Sequence, residues 1–141
     1  LLDSVNYVTN PADLEKLFRN SYNNLKDDSL LVFDINSEMK MREIFGSECY
    51  VYEYEDIFYT WDNYMEDDLI DMNLNFFVEN PDGTYRRIEE YQQERIYGVD
   101  YVKTLLEKIG FTDIRIFDED TLDDVNEETL RVLFSARKAA K

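Results

Sequence analysis

The fold prediction starts from the stretch Leu30-Leu31-Val32-Phe33-Asp34-Ile35-Asn36. Its first four residues are apolar and show no alternation. This pattern is typical of a strand buried on both faces, as in a parallel sheet covered by helices. Asp34 and Asn36 stand at the carboxyl end of the strand, the edge at which open α/β sheets bind ligands. Both are therefore candidate site residues.

A helix is predicted immediately before this strand. Asn10 suits the N-cap, Pro11 suits the first helical position, and Asp13 places negative charge in the first turn. The apolar residues that follow have the spacing of one helical face: Leu14, Leu17, Phe18, Tyr22 and Leu25. The pattern predicts a helix that packs on the sheet and ends within Lys26-Asp27-Asp28-Ser29.

From Tyr97 onward the chain repeats this organisation. A second amphipathic helix is indicated by the apolar residues Val102, Leu105, Leu106 and Ile109. Gly110 is well placed to end it in a left-handed conformation. Strands are then predicted at residues 114–117 and 130–136, on either side of an acidic turn at residues 118–128. The predicted order is helix, strand, insertion, helix, strand, strand.

Residues 49–97, between these two parts, have a different pattern. Aromatic and apolar residues alternate, and the breaks at residues 66–68 and 80–83 are typical of hairpin turns. We therefore predict an antiparallel β meander, inserted after the strand that ends at Asn36. An insertion at this place could serve as a lid or a substrate platform. The alternative is that its aromatic side chains fill a small second core.

Composition limits the classes of function. The 141 residues carry a net charge of −17, which disfavours nucleic acid and anionic membranes as partners. The absence of histidine excludes Ser-His-Asp and Cys-His catalysis within the chain, and no metal site is predicted. Cys49 is the only cysteine and no apolar run indicates export, so a cytoplasmic location is expected. The four glycines stand singly and form no phosphate-binding loop.

Several segments together carry a resemblance to a known family. They are Asp3-Ser4-Val5-Asn6-Tyr7, the predicted first helix and strand, Phe58-Tyr59-Thr60-Trp61-Asp62-Asn63, Glu94-Arg95-Ile96-Tyr97 and Leu106-Glu107-Lys108-Ile109-Gly110-Phe111. In their order and spacing they resemble the C-terminal portion of class I S-adenosylmethionine-dependent methyltransferases, in a small bacterial group with a β-rich insertion.

The resemblance implies an α/β fold. This chain would form a single partial methyltransferase domain, residues 1–141, that contains the C-terminal half of a Rossmann-like methyltransferase sheet. Residues 1–48 and 98–141 would supply the sheet portion, and residues 49–97 the inserted antiparallel β meander.

A cofactor and its site are also implied by the resemblance. The cofactor would be S-adenosylmethionine, whose main glycine-rich binding loop would lie upstream of this chain. The residues implied to contact it are Leu2, Asp3 and Ser4. The residues implied to be catalytic, in the loop beside the transferable methyl group, are Asp3, Asn6 and Tyr7. The alternative for Ser4 and Asn6 is that they cap a turn.

Candidate residues for binding the methyl acceptor are Asp34, Asn36, Tyr59, Trp61, Arg87 and Arg95. The alternative for Asp34 and Asn36 is that they cap the following helix. The alternative for the other four is packing or surface pairing. Methyl transfer from a sulfonium ion needs little acid–base help when the acceptor is already nucleophilic, so a site without histidine is compatible with it.

Two functions remain in competition at this stage. The first is S-adenosylmethionine-dependent methyl transfer to an unidentified small-molecule acceptor, with this chain carrying only the C-terminal part of the enzyme and inactive alone. The alternative is a non-enzymatic acidic binding module that uses the aromatic insertion to engage a basic or apolar partner. Half a sheet exposes a strand edge, so we also expect a homodimer or association with a missing N-terminal half.

Overall fold

The computed structural model describes residues 3–140. Its helices are α1 (Pro11–Asn24), a π-helix (Lys40–Phe45) and α2 (Val99–Ile109). Its strands are β1 (Leu30–Asn36), β2 (Cys49–Tyr54), β3 (Ile57–Glu66), β4 (Leu69–Glu79), β5 (Tyr85–Arg95), β6 (Phe111–Asp118) and β7 (Arg131–Lys138). Within residues 3–140, no helix is long and apolar enough to cross a membrane. The predicted order of elements is confirmed, and the π-helix is an addition to it.

The first helix forms for the reasons that the sequence indicates. The side chain of Asn10 accepts a hydrogen bond from the N–H of Ala12 at 2.9 Å, which caps α1. Leu14 and Phe18 lie on its buried face, as the apolar spacing predicts. The helix ends before the polar segment at residues 26–29, and β1 begins at Leu30. The bounds predicted for β1 are confirmed.

A three-stranded sheet has the strand order β1-β7-β6. Phe134 of β7 lies opposite Phe33 on one side and opposite Ile116 on the other, and both pairings are antiparallel. The prediction of parallel pairing is therefore wrong for these strands. The reason is that residues 119–130 reverse the chain, so that β7 enters the sheet between β1 and β6 in the opposite direction. β1 and β6 run in the same direction without being neighbours.

One face of this sheet packs against the helices. Phe33 contacts Phe18 of α1 and stacks on Phe134, with ring centroids 4.9 and 5.0 Å apart. The buried apolar core on this face comprises Leu14, Phe18, Phe33, Ile35, Val102, Leu105, Leu106, Phe111, Val132 and Phe134. This core holds α1, α2 and the three strands together.

The opposite face of β1 is different in character. Leu30 and Val32 are 45% and 48% exposed, so the prediction that this apolar run is buried on both faces is wrong. Farther along the same face, Asp34 and Asn36 are 1% and 0% exposed. Side chains alternate between the faces of a strand. The second face of β1 is therefore uncovered at its beginning and occupied by buried polar groups at its carboxyl end.

A second sheet has the order β2-β3-β4-β5, with all three pairings antiparallel. The predicted meander is confirmed. Its reversals at residues 67–68 and 80–84 coincide with the predicted breaks. The pairing between these strands fixes which side chains share a face. We call the face that carries Trp61, Leu74 and Glu90 the inner face, since these residues lie opposite one another on β3, β4 and β5. The other face is the outer face.

The π-helix packs on part of the inner face. Met41 and three residues of the second sheet and its exit, Ile70, Met72 and Ile96, form a small separate core, with Phe45 and Trp61 packed against it. Part of the aromatic content of the insertion therefore does fill a second core. Other aromatic side chains do not, because Tyr52 and Tyr54 are 45% and 68% exposed.

Candidate active site

A cluster of buried polar residues lies where the loop of residues 3–9 meets the ends of β1 and β5. We call it the polar cluster, and its most buried members are Asn6, Asp34, Asn36 and Glu94. Buried polar groups need hydrogen-bond partners, and here the partners come from distant parts of the chain. Asn36 Nδ2 donates to Glu94 Oε2 at 3.2 Å across a sequence separation of 58 residues.

Asn6 joins three segments of the chain. Its Oδ1 accepts the backbone N–H of Asn36 at 3.0 Å, and its Nδ2 donates to the carbonyl of Arg95 at 2.9 Å. Its own carbonyl accepts the N–H of Arg95 at 2.8 Å. Both ends of the side-chain amide are thus bonded to backbone groups, and the residue is fully buried. This geometry favours a positioning role, in which Asn6 holds the loop against β1 and β5.

Arg131, the first residue of β7, neutralises carboxylates of the polar cluster. Its Nη1 donates to Asp34 Oδ2 at 2.6 Å, and its Nη2 donates to Asp3 Oδ2 at 3.2 Å. The backbone N–H of Asp3 also donates to Asp34 Oδ2, at 2.8 Å. Burial alone would raise the pKa of Asp34, but the Asp3 N–H and the Arg131 guanidinium hold that pKa below its ordinary value. Asp34 therefore anchors the loop as an ionised carboxylate.

Glu94 and Lys40 are buried groups with altered proton affinity. Burial raises the pKa of Glu94, and the nearby Asp3 carboxylate raises it further, against the hydrogen bond from Asn36. Lys40 Nζ donates to Asn36 Oδ1 at 2.8 Å, and burial together with Arg131 lowers the pKa of its ammonium group. The polar cluster thus contains a carboxyl and an amine whose charged forms are both disfavoured by burial.

Tyr7 lies at the exposed edge of the polar cluster. Its side chain is 44% exposed, and its hydroxyl donates to Gln92 Oε1 at 2.9 Å. Partial burial of the hydroxyl, with Glu94 and Asp3 nearby, raises the pKa of Tyr7 to about 12. At neutral pH the group is therefore a phenol that can donate and accept hydrogen bonds. Gln92 belongs to the inner face, so Tyr7 links the polar cluster to that surface.

The structure brings together most of the residues singled out from the sequence. Asp3, Asn6 and Tyr7 lie in one loop against Asp34 and Asn36. Ser4 is exposed in the same loop, whereas Leu2 lies outside the described residues. The catalytic and cofactor-binding roles of these residues stay predictions.

The candidate acceptor-binding residues of the insertion fall on two different surfaces. Tyr59 and Trp61 lie on the inner face. Arg87 and Arg95 lie on the outer face, since they alternate with inner-face residues along β5. Arg87 bonds the side chain of Asn75 there, and Arg95 donates to the carbonyl of Thr9. These two arginines are therefore not brought together with Tyr59 and Trp61.

Comparisons with known proteins found relatives of this chain, although no family model matches it. The chain is 34% identical over 138 residues to the "putative methyltransferase" of Geobacillus sp. strain WCH70. It is 28% identical over 139 residues to the "putative methyltransferase YqeM" of Bacillus subtilis strain 168. These alignments cover 96% and 97% of this chain. The chain spans 56% of the length of each relative.

A solved structure gives the same result. The S-adenosylmethionine-dependent methyltransferase from Clostridium acetobutylicum ATCC 824 matches 99% of this chain with a TM-score of 0.90 and 31% sequence identity. This chain is related to the methyltransferases. It matches 56% of that solved chain, and the resemblance drawn from the sequence is confirmed. The extent of a Rossmann-like sheet beyond the three strands described here stays a prediction.

The charges of the polar cluster can be compared with the positive charge that S-adenosylmethionine carries. Three carboxylates, those of Asp3, Asp34 and Glu119, share the single guanidinium group of Arg131. A negative excess suits a cofactor that carries a positive sulfonium centre. Contact of Asp3 and Ser4 with S-adenosylmethionine stays a prediction drawn from the resemblance. No group of His, Cys, Asp or Glu side chains within residues 3–140 has the arrangement of a metal site.

Three members of the polar cluster were not named as candidate site residues from the sequence: Lys40, Glu94 and Arg131. Glu94 belongs to a mostly polar strand, in which nothing local marks it as buried. Lys40 opens a π-helix, and Arg131 opens a strand in which the sequence analysis named no candidate site residue. One available signal was that charged residues at strand ends gather at sheet edges. That signal does not specify which strands become neighbours.

Proposed function

We propose that the protein containing this chain transfers a methyl group from S-adenosylmethionine to a small-molecule acceptor. The observation that carries the proposal is the match to a solved S-adenosylmethionine-dependent methyltransferase, at 31% identity over 99% of this chain. Because the chain spans 56% of that protein, the activity is proposed for the longer protein and not for this segment alone.

When bound, S-adenosylmethionine supplies an electrophilic methyl group on a positively charged sulfur. An in-line displacement at such a methyl group depends chiefly on the position of the acceptor and on exclusion of water. The residues of this chain are therefore proposed to act by positioning, which requires a rigid site more than a strong acid or base.

The polar cluster has the rigidity that this role requires. Asn6 fixes the loop of residues 3–9 to two strands, and Arg131 clamps Asp3 to Asp34. The clamp determines where Ser4 and Tyr7 stand. Charged hydrogen bonds of this kind are stronger than neutral ones, so we expect the loop to stay in place while ligands bind.

The inner face is proposed to hold the acceptor. It starts at Tyr7 and Gln92 and continues along β5 and across β4 to the aromatic side chains of β2 and β3. Apolar side chains such as Leu74 line its floor and would exclude water from a bound acceptor. In this arrangement Tyr7 is the chain's own hydrogen-bonding group between the polar cluster and the acceptor.

The proposal is tested first by calorimetry of the full-length protein with S-adenosylmethionine. We expect saturable binding. We also expect transfer of label from methyl-labelled S-adenosylmethionine to the small-molecule fraction of a cell extract. A folded protein that does not bind S-adenosylmethionine would contradict the proposal.

The role of Tyr7 is tested by Tyr7→Phe, which removes one hydrogen bond. We expect turnover to fall about two- to tenfold, which corresponds to the usual net contribution of such a bond, with unchanged affinity for S-adenosylmethionine. The matched control is Tyr64→Phe, because Tyr64 is 58% exposed on the outer face. Equal turnover of the two variants would contradict the role given to Tyr7.

A further inference from the structure

The inner face has an aromatic side and an acidic side. Tyr50 and Trp61 lie opposite each other on β2 and β3, and Leu74 and Glu90 continue the same row on β4 and β5. The next row contains Tyr52, Tyr59, Phe76 and Ile88. Aromatic rings thus occupy the β2 and β3 side of the face, and Glu90 stands on the β5 side.

The aromatic side consists of neighbouring rings, some stacked and some tilted against one another. The ring centroids of Tyr52 and Tyr59 are 4.9 Å apart, and those of Tyr59 and Phe76 are 5.4 Å apart. Trp61 lies 5.7 Å from Tyr50 in the neighbouring row. Stacked rings form a rigid apolar surface, against which another flat or apolar group can pack.

Glu90 differs from its chain neighbour in its partners. It is exposed, and among residues 3–140 its carboxylate has neither a cationic partner nor a side-chain hydrogen bond. Glu89, on the outer face, is paired with Arg87 at 2.6 Å. The inner face therefore presents an uncompensated negative charge beside an apolar surface.

The other charged residues near the inner face do not neutralise the carboxylate of Glu90. Arg86 is the basic residue of β5 on the inner face, and it lies two rows beyond Glu90 in the direction away from the polar cluster, whereas Glu94 lies two rows from Glu90 towards that cluster. Lys40 is bonded to Asn36 within the polar cluster. A chain with a net charge of −17 also attracts cations over its whole surface.

Two buried polar atoms belong to inner-face residues next to the π-helix. Trp61 Nε1 and Asn63 Oδ1 have no hydrogen-bond partner among the described residues, and Asn63 is 7% exposed. Buried polar atoms are usually satisfied in folded proteins. Both residues contact the π-helix, since Phe45 packs against Trp61 and its carbonyl accepts a hydrogen bond from Asn63 Nδ2.

The dimensions of the face indicate the shape of a suitable ligand. Neighbouring strands are about 4.8 Å apart, so the backbones at Glu90 and Trp61, two strands apart, are separated by about 10 Å. Gln92, which bonds Tyr7, is one row from Glu90 along β5. A cationic group at Glu90 would therefore lie near Tyr7, with the remainder of the molecule across Leu74 on the aromatic rings.

We propose that the inner face binds an acceptor with a protonated primary amine joined to an apolar or aromatic body, with the ammonium group at Glu90. The inference rests on the proposed function, because it names the class of acceptor for that site. A carboxylate or phosphate at the same position would be repelled by Glu90. A neutral alcohol would gain the apolar contact and lose the charge interaction.

The experiment measures binding of three phenyl compounds to the full-length protein at fixed ionic strength. The probes are 2-phenylethylammonium, the neutral 2-phenylethanol and the anionic phenylacetate, and the signal is tryptophan fluorescence. Trp61 is the single tryptophan of this chain, and Trp61→Phe identifies its share of the signal. We expect the ammonium probe to bind more tightly than the alcohol and phenylacetate to bind weakest.

Substitutions at neighbouring glutamates separate a specific site from general attraction by the acidic chain. Glu90→Gln and Glu89→Gln change the net charge equally but lie on opposite faces of β5. We expect Glu90→Gln to weaken binding of 2-phenylethylammonium roughly two- to fivefold, which is typical of an exposed ion pair. Glu89→Gln should leave that affinity unchanged, and neither substitution should affect the alcohol.

The proposal is overturned by any of three results. These are equal affinity for the ammonium and the alcohol, equal effects of the two glutamate substitutions, or a fluorescence change that persists in Trp61→Phe. Calorimetry with S-adenosylmethionine on the same preparation keeps the two proposals separate. Failure of the cofactor to bind counts against the proposed function, whereas failure of amine discrimination counts against the acceptor class alone.

Discussion

At the scale of single residues, two carboxylates of the polar cluster respond to burial in opposite ways. Asp34 receives hydrogen bonds from Arg131 and from the N–H of Asp3, which outweigh burial and lower its pKa. For Glu94, burial and the nearby Asp3 carboxylate prevail over the hydrogen bonds from Asn36 and Tyr7, so its pKa is raised. Hydrogen-bond donors close to the carboxylate thus decide whether the pKa of a buried acid is lowered or raised.

This difference predicts opposite pH dependences for two isosteric substitutions. Protonated Glu94 is favoured in the folded state, so the wild type loses stability as pH rises above the ordinary Glu pKa of 4.5. We expect Glu94→Gln to be more stable than the wild type at pH 7, with a gain that disappears as pH falls below 4.5. Urea unfolding at several pH values measures this gain.

For Asp34→Asn we expect the opposite change in stability at neutral pH. The lowered pKa of Asp34 contributes stability above the ordinary Asp pKa of 3.8, and that stability is lost as pH falls through the folded-state pKa. We expect Asp34→Asn to be less stable than the wild type at pH 7, with a difference that shrinks in acid. Parallel pH profiles for the two variants would contradict the assignment of the two carboxyl groups.

At the scale of elements, the end of α2 shows how one residue passes the chain from a helix into a strand. Gly110 has a φ of 115°, and its N–H bonds the carbonyls of Leu106 and Glu107. β6 begins at the next residue, Phe111, whose ring packs edge-on against Tyr22 of α1 at 5.0 Å. The left-handed conformation lets the chain turn at once into the sheet, where a longer loop would separate these rings.

Gly110→Ala tests this junction. A Cβ at residue 110 would lie 3.3 Å from the hydroxyl of Tyr22, and its backbone conformation is strained for an L-amino acid. We expect the free energy of unfolding to fall by about 1–2 kcal/mol, measured by urea denaturation. The matched control is Gly98→Ala at the start of α2, where φ is −65° and a Cβ meets nothing within 4 Å. A loss at Gly98 as large as that at Gly110 would contradict the conformational explanation.

At the scale of the whole molecule, coverage of the three-stranded sheet is unequal. Helices cover the face that carries Phe33, whereas Leu30 and Val32 on the other face are exposed. Within residues 3–140, β1 pairs with β7 alone and leaves its other edge open. Exposed apolar residues on an open strand edge favour association with another chain or segment.

We therefore predict that the isolated 141-residue chain self-associates. Sedimentation velocity over a range of concentrations should show species larger than a monomer. Val32→Lys places a charge on the exposed face of β1 and should shift the distribution towards the monomer. Lys substitution of Tyr64, which is exposed on the outer face of the other sheet, serves as the control. A wild-type chain that stays monomeric at high concentration would contradict this prediction.

Local signals were sufficient for much of the fold. The N-cap at Asn10, the apolar spacing that follows it and the polar segment at residues 26–29 predict α1 and the start of β1. The turn-forming residues 80–83 predict the β4–β5 hairpin. These features depend on residues close together in the chain, so the sequence alone is informative about them.

Local sequence signals predicted only part of the candidate site. Asp3, Asn6, Tyr7, Asp34 and Asn36 were singled out by their place beside a strand end and by resemblance. Nothing in the sequence indicated that the side-chain amide of Asn6 would form hydrogen bonds with the backbone of two different strands. The separation of Arg87 and Arg95 from the aromatic residues follows from strand alternation, but only once the pairing of β5 is known.

The sequence by itself determined the order of the elements, the antiparallel meander and the acidic, aromatic character of the chain, because each of these depends on local spacing or on composition. The tertiary structure alone decided that β7 lies between β1 and β6, and that Glu94 and Arg131 reach Asn36 and Asp34. Those contacts join residues 58 and 97 positions apart. Their formation depends on the packing of whole sheets, which no local pattern in the chain encodes.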